Sequence, residues 1–290
     1  MENNHWSLQD KNILITGSSQ GIGFFTALGL AGKGAHVIIV SHDEEHSKQA
    51  VEEINNKCET GSARYYVADL SSQREIRELA EKVKQDYDQL DVLINNAGAW
   101  FSRHRESDDG IEKTFALNHL SYFLLTGLLI DLINKNTSTR IINVSSDAHR
   151  ASYGIRFDDI GFQTGYRPFM TYAQSKLANI MFTYELANRL EGTNITVNVL
   201  HPGAVASNLY RNFGILEPLI NLWIKISGKT SEEGAKTSIY LASSAEVSDI
   251  TGKYFTDEKQ QRSSNASYNE ESWKQLWKLS EEMTGFEYPV

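Results

Sequence analysis

The chain has 290 residues, 40% of them hydrophobic and 22% charged, and a formal net charge of −9. These proportions suit a folded globular protein and exclude a disordered one. The acidic balance, with no concentrated basic cluster, excludes a general nucleic-acid binder, and the single Cys58 excludes an internal disulfide or a cysteine-based metal cluster.

Met1 to Asp10 is polar and lacks the pattern of a signal peptide. The longest strongly apolar run, Phe123 to Ile130, is far shorter than the ~20 residues of a membrane span. A cytoplasmic protein without a transmembrane segment is therefore expected. No group of His, Asp or Glu has metal-ligand spacing, so no metal is expected.

Lys11 to Thr16 is an aliphatic strand pattern that runs into Gly17-Ser18-Ser19-Gln20-Gly21-Ile22-Gly23, followed by a helical pattern through Leu30. Strand, glycine-rich turn and helix form the context of a phosphate cradle. Gly17 permits the tight turn, Gly21 lets the backbone approach a pyrophosphate, and Gly23 lets the helix pack on the strand. His36 to Val40 reads as the second strand and Asp43 to Lys57 as a helix. Tyr65 to Ala68 is the third strand, ending at Asp69-Leu70, and Ser71 is placed to cap a helix reaching about Tyr87. Asp91 to Ile94 is the fourth strand and leads into Asn95-Asn96-Ala97-Gly98. A helix follows over roughly Ile111 to Asn134, then a fifth strand, Arg140 to Val144, closed by Ser145-Ser146. Leu177, Ile180, Met181 and Tyr184 recur at helical spacing around Tyr172 and Lys176. Ile195 to Leu200 is the sixth strand and stops at His201-Pro202-Gly203. A helix over about Ser231 to Ser243, a last strand over Lys253 to Thr256 and a C-terminal helix with Trp273 and Trp277 in the core complete the chain.

Strands alternating with helices, nearly all apolar, predict an α/β doubly wound, Rossmann-type parallel sheet of seven strands with helices on both faces, in a single domain. Ligands of such folds sit at the carboxyl ends of the strands. Gly17, Asp69, Asn96, Ser146 and Pro202 each follow a strand. Tyr172 and Lys176 stand four residues apart, on one helical face. A nearby ammonium favours the phenolate form of a tyrosine, so the pair suits proton transfer near neutral pH. His119 and His201 read as scaffold histidines, and Asp158 and Asp159 as a solvated loop pair.

These motifs, in this order from Lys11 to about Gly285, resemble the short-chain dehydrogenase/reductase family. Asn118-His119-Leu120, Asn143-Val144-Ser145-Ser146, Ser175-Lys176-Leu177-Ala178-Asn179 and Gly252-Lys253-Tyr254-Phe255 resemble its retinol dehydrogenase and WW-domain oxidoreductase branch. The resemblance implies an NAD(P)-dependent oxidoreductase that interconverts a carbonyl and an alcohol. It implies Tyr172 as acid/base, Lys176 lowering its pKa and holding the nicotinamide ribose, and Ser146 (with Ser145 as the alternative) binding the substrate oxygen. Asn118 would hold a water that links Lys176 to solvent. The glycine turn from Gly17 to Gly23 would hold the pyrophosphate, Asp69 would lie near the adenine, and Asn96 and Ala97 would line the ribose. Pro202, Gly203 and Val205 would pack by the nicotinamide. Helices around 111–134 and 170–191 form a dimer face in many relatives, so a homodimer or homotetramer is also implied.

Cofactor choice turns on Val40-Ser41-His42-Asp43. NAD-preferring relatives usually carry an acid where Ser41 stands, to bind the free 2′-hydroxyl. Ser41 does not repel a 2′-phosphate and His42 takes the place of an arginine, so NADP(H) is expected over NAD(H), with Asp43 arguing the other way. Two apolar segments are expected to cover a lipophilic substrate. One holds Tyr153, Phe157, Phe162, Tyr166 and Phe169. The other, at about 204–230, holds Leu209, Tyr210, Phe213, Leu216, Trp223 and Ile226. A nucleotide-sensing regulatory protein on the same fold is the competing reading. The presence of Ser146, Tyr172, Lys176 and Asn118 favours the enzyme.

Overall fold

The aliphatic runs pair into one sheet, in a computed structural model that describes residues 6–133, 138–205 and 229–289. The strands are β1 (Asn12–Thr16), β2 (His36–Ser41), β3 (Ser62–Val67), β4 (Val92–Asn95), β5 (Thr139–Val144), β6 (Ile195–His201), β7 (Tyr254–Thr256) and β8 (Lys259–Gln261). Their order is β3-β2-β1-β4-β5-β6-β7-β8. The first seven run parallel, and β8 pairs antiparallel with β7. The eighth strand corrects the expected seven. Its hairpin turns through Asp257 and Glu258 at φ 52° and 62°. Two-residue turns of this hand favour Asn-Gly or Asp-Gly; Asp257 suits the first position, but Glu258 stands where glycine is usual, so the hairpin signal is incomplete.

Successive side chains of a strand point to opposite faces, and both faces here are buried. Leu14, Ile38, Leu93, Ile141 and Val197 point to one side, where α3 (Gln73–Asp86), α5 (Ser121–Ile133) and α6 (Pro168–Arg189) pack. Ile13, Ile15, Val37, Ile39, Val92 and Ile94 point to the other, against α1 (Gly21–Ala31), α2 (Glu44–Lys57) and α7 (Ser231–Ser243). A last helix, α8 (Glu270–Thr284), lies along α6 and buries Trp273, Leu276 and Trp277.

Three local expectations are corrected. Ser72, not Ser71, is the N-cap of α3, because the Ser71 hydroxyl donates to Asp69 instead. The helix expected over 111–134 is interrupted. A short α4 (Lys113–Phe115) passes into a wide π turn, Ala116–Leu120, before α5 begins. Asp159 is not solvated: it accepts from Arg156 and from the amides of Gln163 and Thr164.

Lys113–Ile133 as a whole is long and apolar enough to cross a membrane, but 83% of its most apolar window is buried inside the protein. The chain's own C-terminal segment covers this region. Tyr288 donates to Phe123 O on α5 at 2.7 Å, and Phe286 and Tyr288 pack edge to face. Trp277 meets Phe123 and Phe182. Residues Thr171 to Ala187 of α6 are buried without interruption. Within the chain, α5 and α6 thus pack against α3, α8 and the C-terminal residues.

A buried polar chain sets how α5 and α6 sit on the sheet. Asn95 on β4 donates to Thr126 on α5 and to Asn143 on β5, both at 2.9 Å, and Asn143 donates to Thr183 on α6 at 2.9 Å. Removing one member strands the others away from water, which costs more than the bond itself contributes. Asn143→Ala should lower unfolding stability by about 2–3 kcal/mol. Urea denaturation checks this, and a loss below ~0.5 kcal/mol would show that the chain adds little.

Candidate active site

The parallel sheet reverses its winding between β1 and β4, and a cleft of about 1160 Å³ opens at the strand ends there. It is lined by Gly17, Ser19, Gln20, Gly21, Ile22 and Gly23 at one end and by Ser146, Tyr172, Lys176, Pro202, Gly203 and Val205 at the other. Of the residues singled out in the sequence, Ser18 and Asn118 do not reach it. Ser18 is buried and donates to Ile15 O at 2.6 Å, which closes the glycine turn from behind.

That turn is held by close backbone contact. Gly17 has φ +63°, and a Cβ there would fall 2.7 Å from the Ala97 Cα; a Cβ on Gly23 would fall 2.3 Å from Gly17 O. Asn96 fixes the other side, with Nδ2 donating to Thr16 O at 2.8 Å and Gly17 O at 3.0 Å. The Asn96 side chain is thus occupied by the turn, and Asn96, Ala97 and Gly98 line the cleft. Gly21 has φ +59°, and open space lies where its Cβ would be. No acidic residue stands in the first turn of α1, and no side chain caps it. An open helix N-terminus with close-packed glycines fits a dinucleotide pyrophosphate.

At the end of β2, Ser41 is 5% exposed and its hydroxyl meets that of Ser19 at 2.8 Å. His42 is exposed on the cleft wall. Asp43 serves as the N-cap of α2: it accepts from the His46 amide at 3.0 Å and pairs with His46 Nδ1 at 2.6 Å. These bonds hold its carboxyl below the ordinary carboxylate range. His46 also lines the cleft. It stands three residues after the N-cap Asp43, so N-cap spacing at the start of α2 could have found it. Asp69 accepts from the Ser71 amide and hydroxyl and pairs with Lys113 at 3.5 Å. Burial alone would raise its pKa, but the Ser71 and Lys113 contacts outweigh burial and leave it lowered. Leu70 lines the cleft beside it.

At the reacting end, β5 meets α6. Lys176 is 3% exposed; its Nζ donates to Val144 O at 3.0 Å, and Ser145 Oγ donates to Lys176 O at 2.8 Å. Burial pushes the Lys176 amine down to about 7. Both serines line the cleft, but the Ser145 hydroxyl is occupied with the helix backbone, whereas Ser146 Oγ accepts from the Ala148 amide at 3.2 Å. That bond leaves the Ser146 hydroxyl hydrogen available as a donor. Tyr172 is 6% exposed, and Lys176 Nζ lies 5.9 Å from its ring centroid. A Cβ on Gly98 would come within 3.1 Å of Lys176 Nζ and 3.2 Å of Asn118 Oδ1. Asn118 sits in the π turn. Its Oδ1 accepts from the Ala99 amide at 2.8 Å, and its Nδ2 donates to Ala99 O at 3.0 Å and Ser175 Oγ at 2.9 Å. Its side chain thus fixes the loop after β4 to α6. A phenol, a buried amine and a hydroxyl donor at one end of a nucleotide-sized cleft are equipped to pass a proton to or from a substrate oxygen.

Of the five aromatic residues expected over the substrate, Phe169 alone lines the cleft. Phe162 is buried under Arg156, Tyr166 donates to Phe101 O and Glu112, Phe157 packs in the core, and Tyr153 is 97% exposed. Trp100, not anticipated, stacks on Tyr172 with centroids 5.4 Å apart and 12° between planes, and lies 5.6 Å from Phe169. The second segment, from Leu209 to Ile226, lies outside the described residues. His201 also lines the cleft, with burial pushing it down to about 4, so it is neutral there.

A family model described as short chain dehydrogenase matches residues 11–214. Human retinol dehydrogenase 14 is 41% identical over 295 residues, covering 96% of this chain and 87% of that protein. Human polyprenol dehydrogenase is 38% identical over 286 residues, covering 95% and 86%. Among solved structures, a putative uncharacterized protein from Mycobacterium paratuberculosis has TM-score 0.80 at 28% identity, over 99% of this chain and 98% of that one. A Pseudomonas aeruginosa RhlG/NADP active-site complex has TM-score 0.68 at 29% identity, over 87% and 96%. With this likeness along nearly its whole length, the chain belongs to the short-chain dehydrogenase family and is an NAD(P)-dependent oxidoreductase of alcohol and carbonyl groups.

Proposed function

We propose that the protein interconverts a lipophilic alcohol and its aldehyde or ketone, with NADP(H) preferred and Tyr172 as the proton-transferring group. The observation that carries this reading is that Tyr172, Lys176 and Ser146 share one end of the cleft whose other end is the glycine turn. The nicotinamide, when bound, supplies or accepts the hydride. The turn from Gly17 to Gly23 holds the pyrophosphate, Asp69 and Leu70 lie by the adenine, and Asn96, Ala97 and Gly98 line the ribose. Lys176 reaches the nicotinamide ribose, and Pro202, Gly203 and Val205 pack by the ring. Ser146 donates to the substrate oxygen, while the Tyr172 phenol gives up or takes the proton at that oxygen. Lys176, when protonated, favours the phenolate. Asn118 holds the loop that faces Lys176.

NADP(H) is supported by the spent carboxylate of Asp43 and by two imidazoles, His42 and His46, on the cleft wall. A lipophilic substrate is supported by Trp100, Phe101, Leu117 and Phe169 along the cleft, and by relatives named for retinol and polyprenol. A cytoplasmic setting accords with Cys58 as a free thiol.

Tyr172→Phe keeps the ring against Trp100 and removes the transferable proton. It should lower kcat by about 10²–10⁴ and leave the NADPH Kd within about twofold. Lys176→Ala should damage both. A Tyr172→Phe enzyme with near-wild-type rate overturns the assignment, and cofactor binding with no turnover on a broad panel would favour a nucleotide sensor.

NADPH should bind more tightly than NADH, because His42 and His46 on the cleft wall can donate to a 2′-phosphate while the Asp43 carboxylate is occupied by His46. His42→Arg should widen the margin. Titration of cofactor fluorescence checks this, and tighter NADH binding would refute it.

Long-chain or ring-bearing aldehydes should exceed small polar ones in kcat/KM by about tenfold or more, since each buried methylene contributes ~0.8 kcal/mol. The reverse order in a substrate panel would exclude a lipophilic site.

A further inference from the structure

One buried titratable group beside the reacting residues has no part in this chemistry. His149 lies in the 3-10 turn Asp147–Ala151, three residues beyond Ser146, and is fully buried. Its Nδ1 is 2.7 Å from Ser146 O, and its Nε2 is 3.0 Å from the Ser264 amide nitrogen. A carbonyl only accepts and an amide only donates, so Nδ1 carries the hydrogen and Nε2 the lone pair. One neutral tautomer satisfies both partners. Burial, the largest influence, holds the imidazole below its ordinary pKa and accords with that neutral form.

The far partner belongs to the loop between β8 and α8, which is also tied to the helix of Tyr172. Ser263 Oγ meets Tyr184 OH at 2.7 Å and Ser267 Oγ at 2.6 Å, and Trp273 donates to Ser267 O at 2.6 Å. Tyr184 lies on α6, twelve residues beyond Tyr172. A second link runs beside the first, from Arg150 Nη2 to Arg262 O at 2.9 Å.

We propose that His149 is a positioning residue, which through Ser264 braces the turn carrying Ser146 against the helix carrying Tyr172 and Lys176. The inference rests on the roles given above to Ser146 and Tyr172. The bonds between β5 and α6 end at Ser145. Beyond it the chain is a five-residue 3-10 turn, a form with little stability of its own. The Ser146 hydroxyl needs a tether there, since misplacing a reacting group by ~1 Å can cost about 10² in rate.

The test uses His149→Ala, His149→Asn and His149→Gln in the full chain. An asparagine amide can donate to Ser146 O without reaching Ser264, and a glutamine oxygen can accept from Ser264 without holding Ser146 O. His149→Ala should lower kcat by about 10–100-fold with the NADPH Kd within about twofold; Gln, which keeps the bond to Ser264, should recover part of the loss and Asn, which does not, should recover little. Tyr184→Phe, at the other end of the brace, should combine with His149→Ala less than additively in kcat. In hydrogen exchange, His149→Ala should expose the amides of 146–152 and 263–268 together.

Unchanged kcat in a folded His149→Ala protein overturns the proposal, as does a kcat loss matched by an equal loss of NADPH affinity and a general fall in Tm. Faster exchange confined to 146–152 overturns it as well. If the wild-type protein binds NADPH but turns over no carbonyl or alcohol, the functional reading fails by itself, and the exchange measurement then decides whether the brace exists.

Discussion

The site depends on the junction of β5 with α6. Val144 O accepts from Lys176 Nζ, and Ser145 Oγ donates to Lys176 O, so the strand end holds the helix at one residue by both its side chain and its backbone. An amine in this position loses its hydration, and its pKa falls to about 7. Once Lys176 is held there, the helical repeat brings Tyr172 to the same wall one turn earlier. The next residue of the strand extension, Ser146, then emerges beside it. That one joint sets Tyr172 and Lys176 against the strand end, and Ser146 follows it by one residue.

The rest of the molecule supports that joint. Asn95 and Asn143 extend the same strand ends into hydrogen bonds with Thr126 and Thr183, which fixes the rotation of α5 and α6 on the sheet. Asn118 ties the loop after β4 to α6 from inside a π turn, a wide helical turn often found at functional positions. At the opposite end of the cleft, Asn96 and Thr16 hold the glycine turn through backbone bonds. Asparagines that read as ligand contacts in the sequence are therefore largely internal struts, and the residues that they position line the cleft.

The C-terminal region takes part in this scaffold. His119, next to Asn118, meets Ser280 of α8 at 2.9 Å, and burial pushes it down to about 3, so it acts as a neutral strut. Phe286 and Tyr288 close over α5. The aromatic residues between Ser146 and Tyr172 divide in the same way. Phe162 and Phe157 build the protein's own core, and Phe169 alone turns toward the cleft, where Trp100 completes the wall.

The sequence by itself determined the parallel sheet, because runs such as Asn12–Thr16 and Thr139–Val144 place aliphatic residues on both faces and alternate with helical spacing. It also determined where the cleft lies, since glycines, Asp69, Asn96, Ser146 and Pro202 all fall at strand ends. Local patterns of this kind are legible because they depend on periodicity and on the order of residues along the chain. Only the tertiary structure decided between neighbours with the same chemistry. Ser145 and Ser146 both line the cleft, but only the Ser145 hydroxyl is taken up by Lys176 O, and which serine meets α6 depends on how that helix docks. The occupation of Asp43 by His46, the stacking of Trp100 on Tyr172, the hairpin through Asp257 and Glu258, and the span from His149 to Ser264 across 115 residues are settled by packing and side-chain direction. Residue type and spacing alone do not record these.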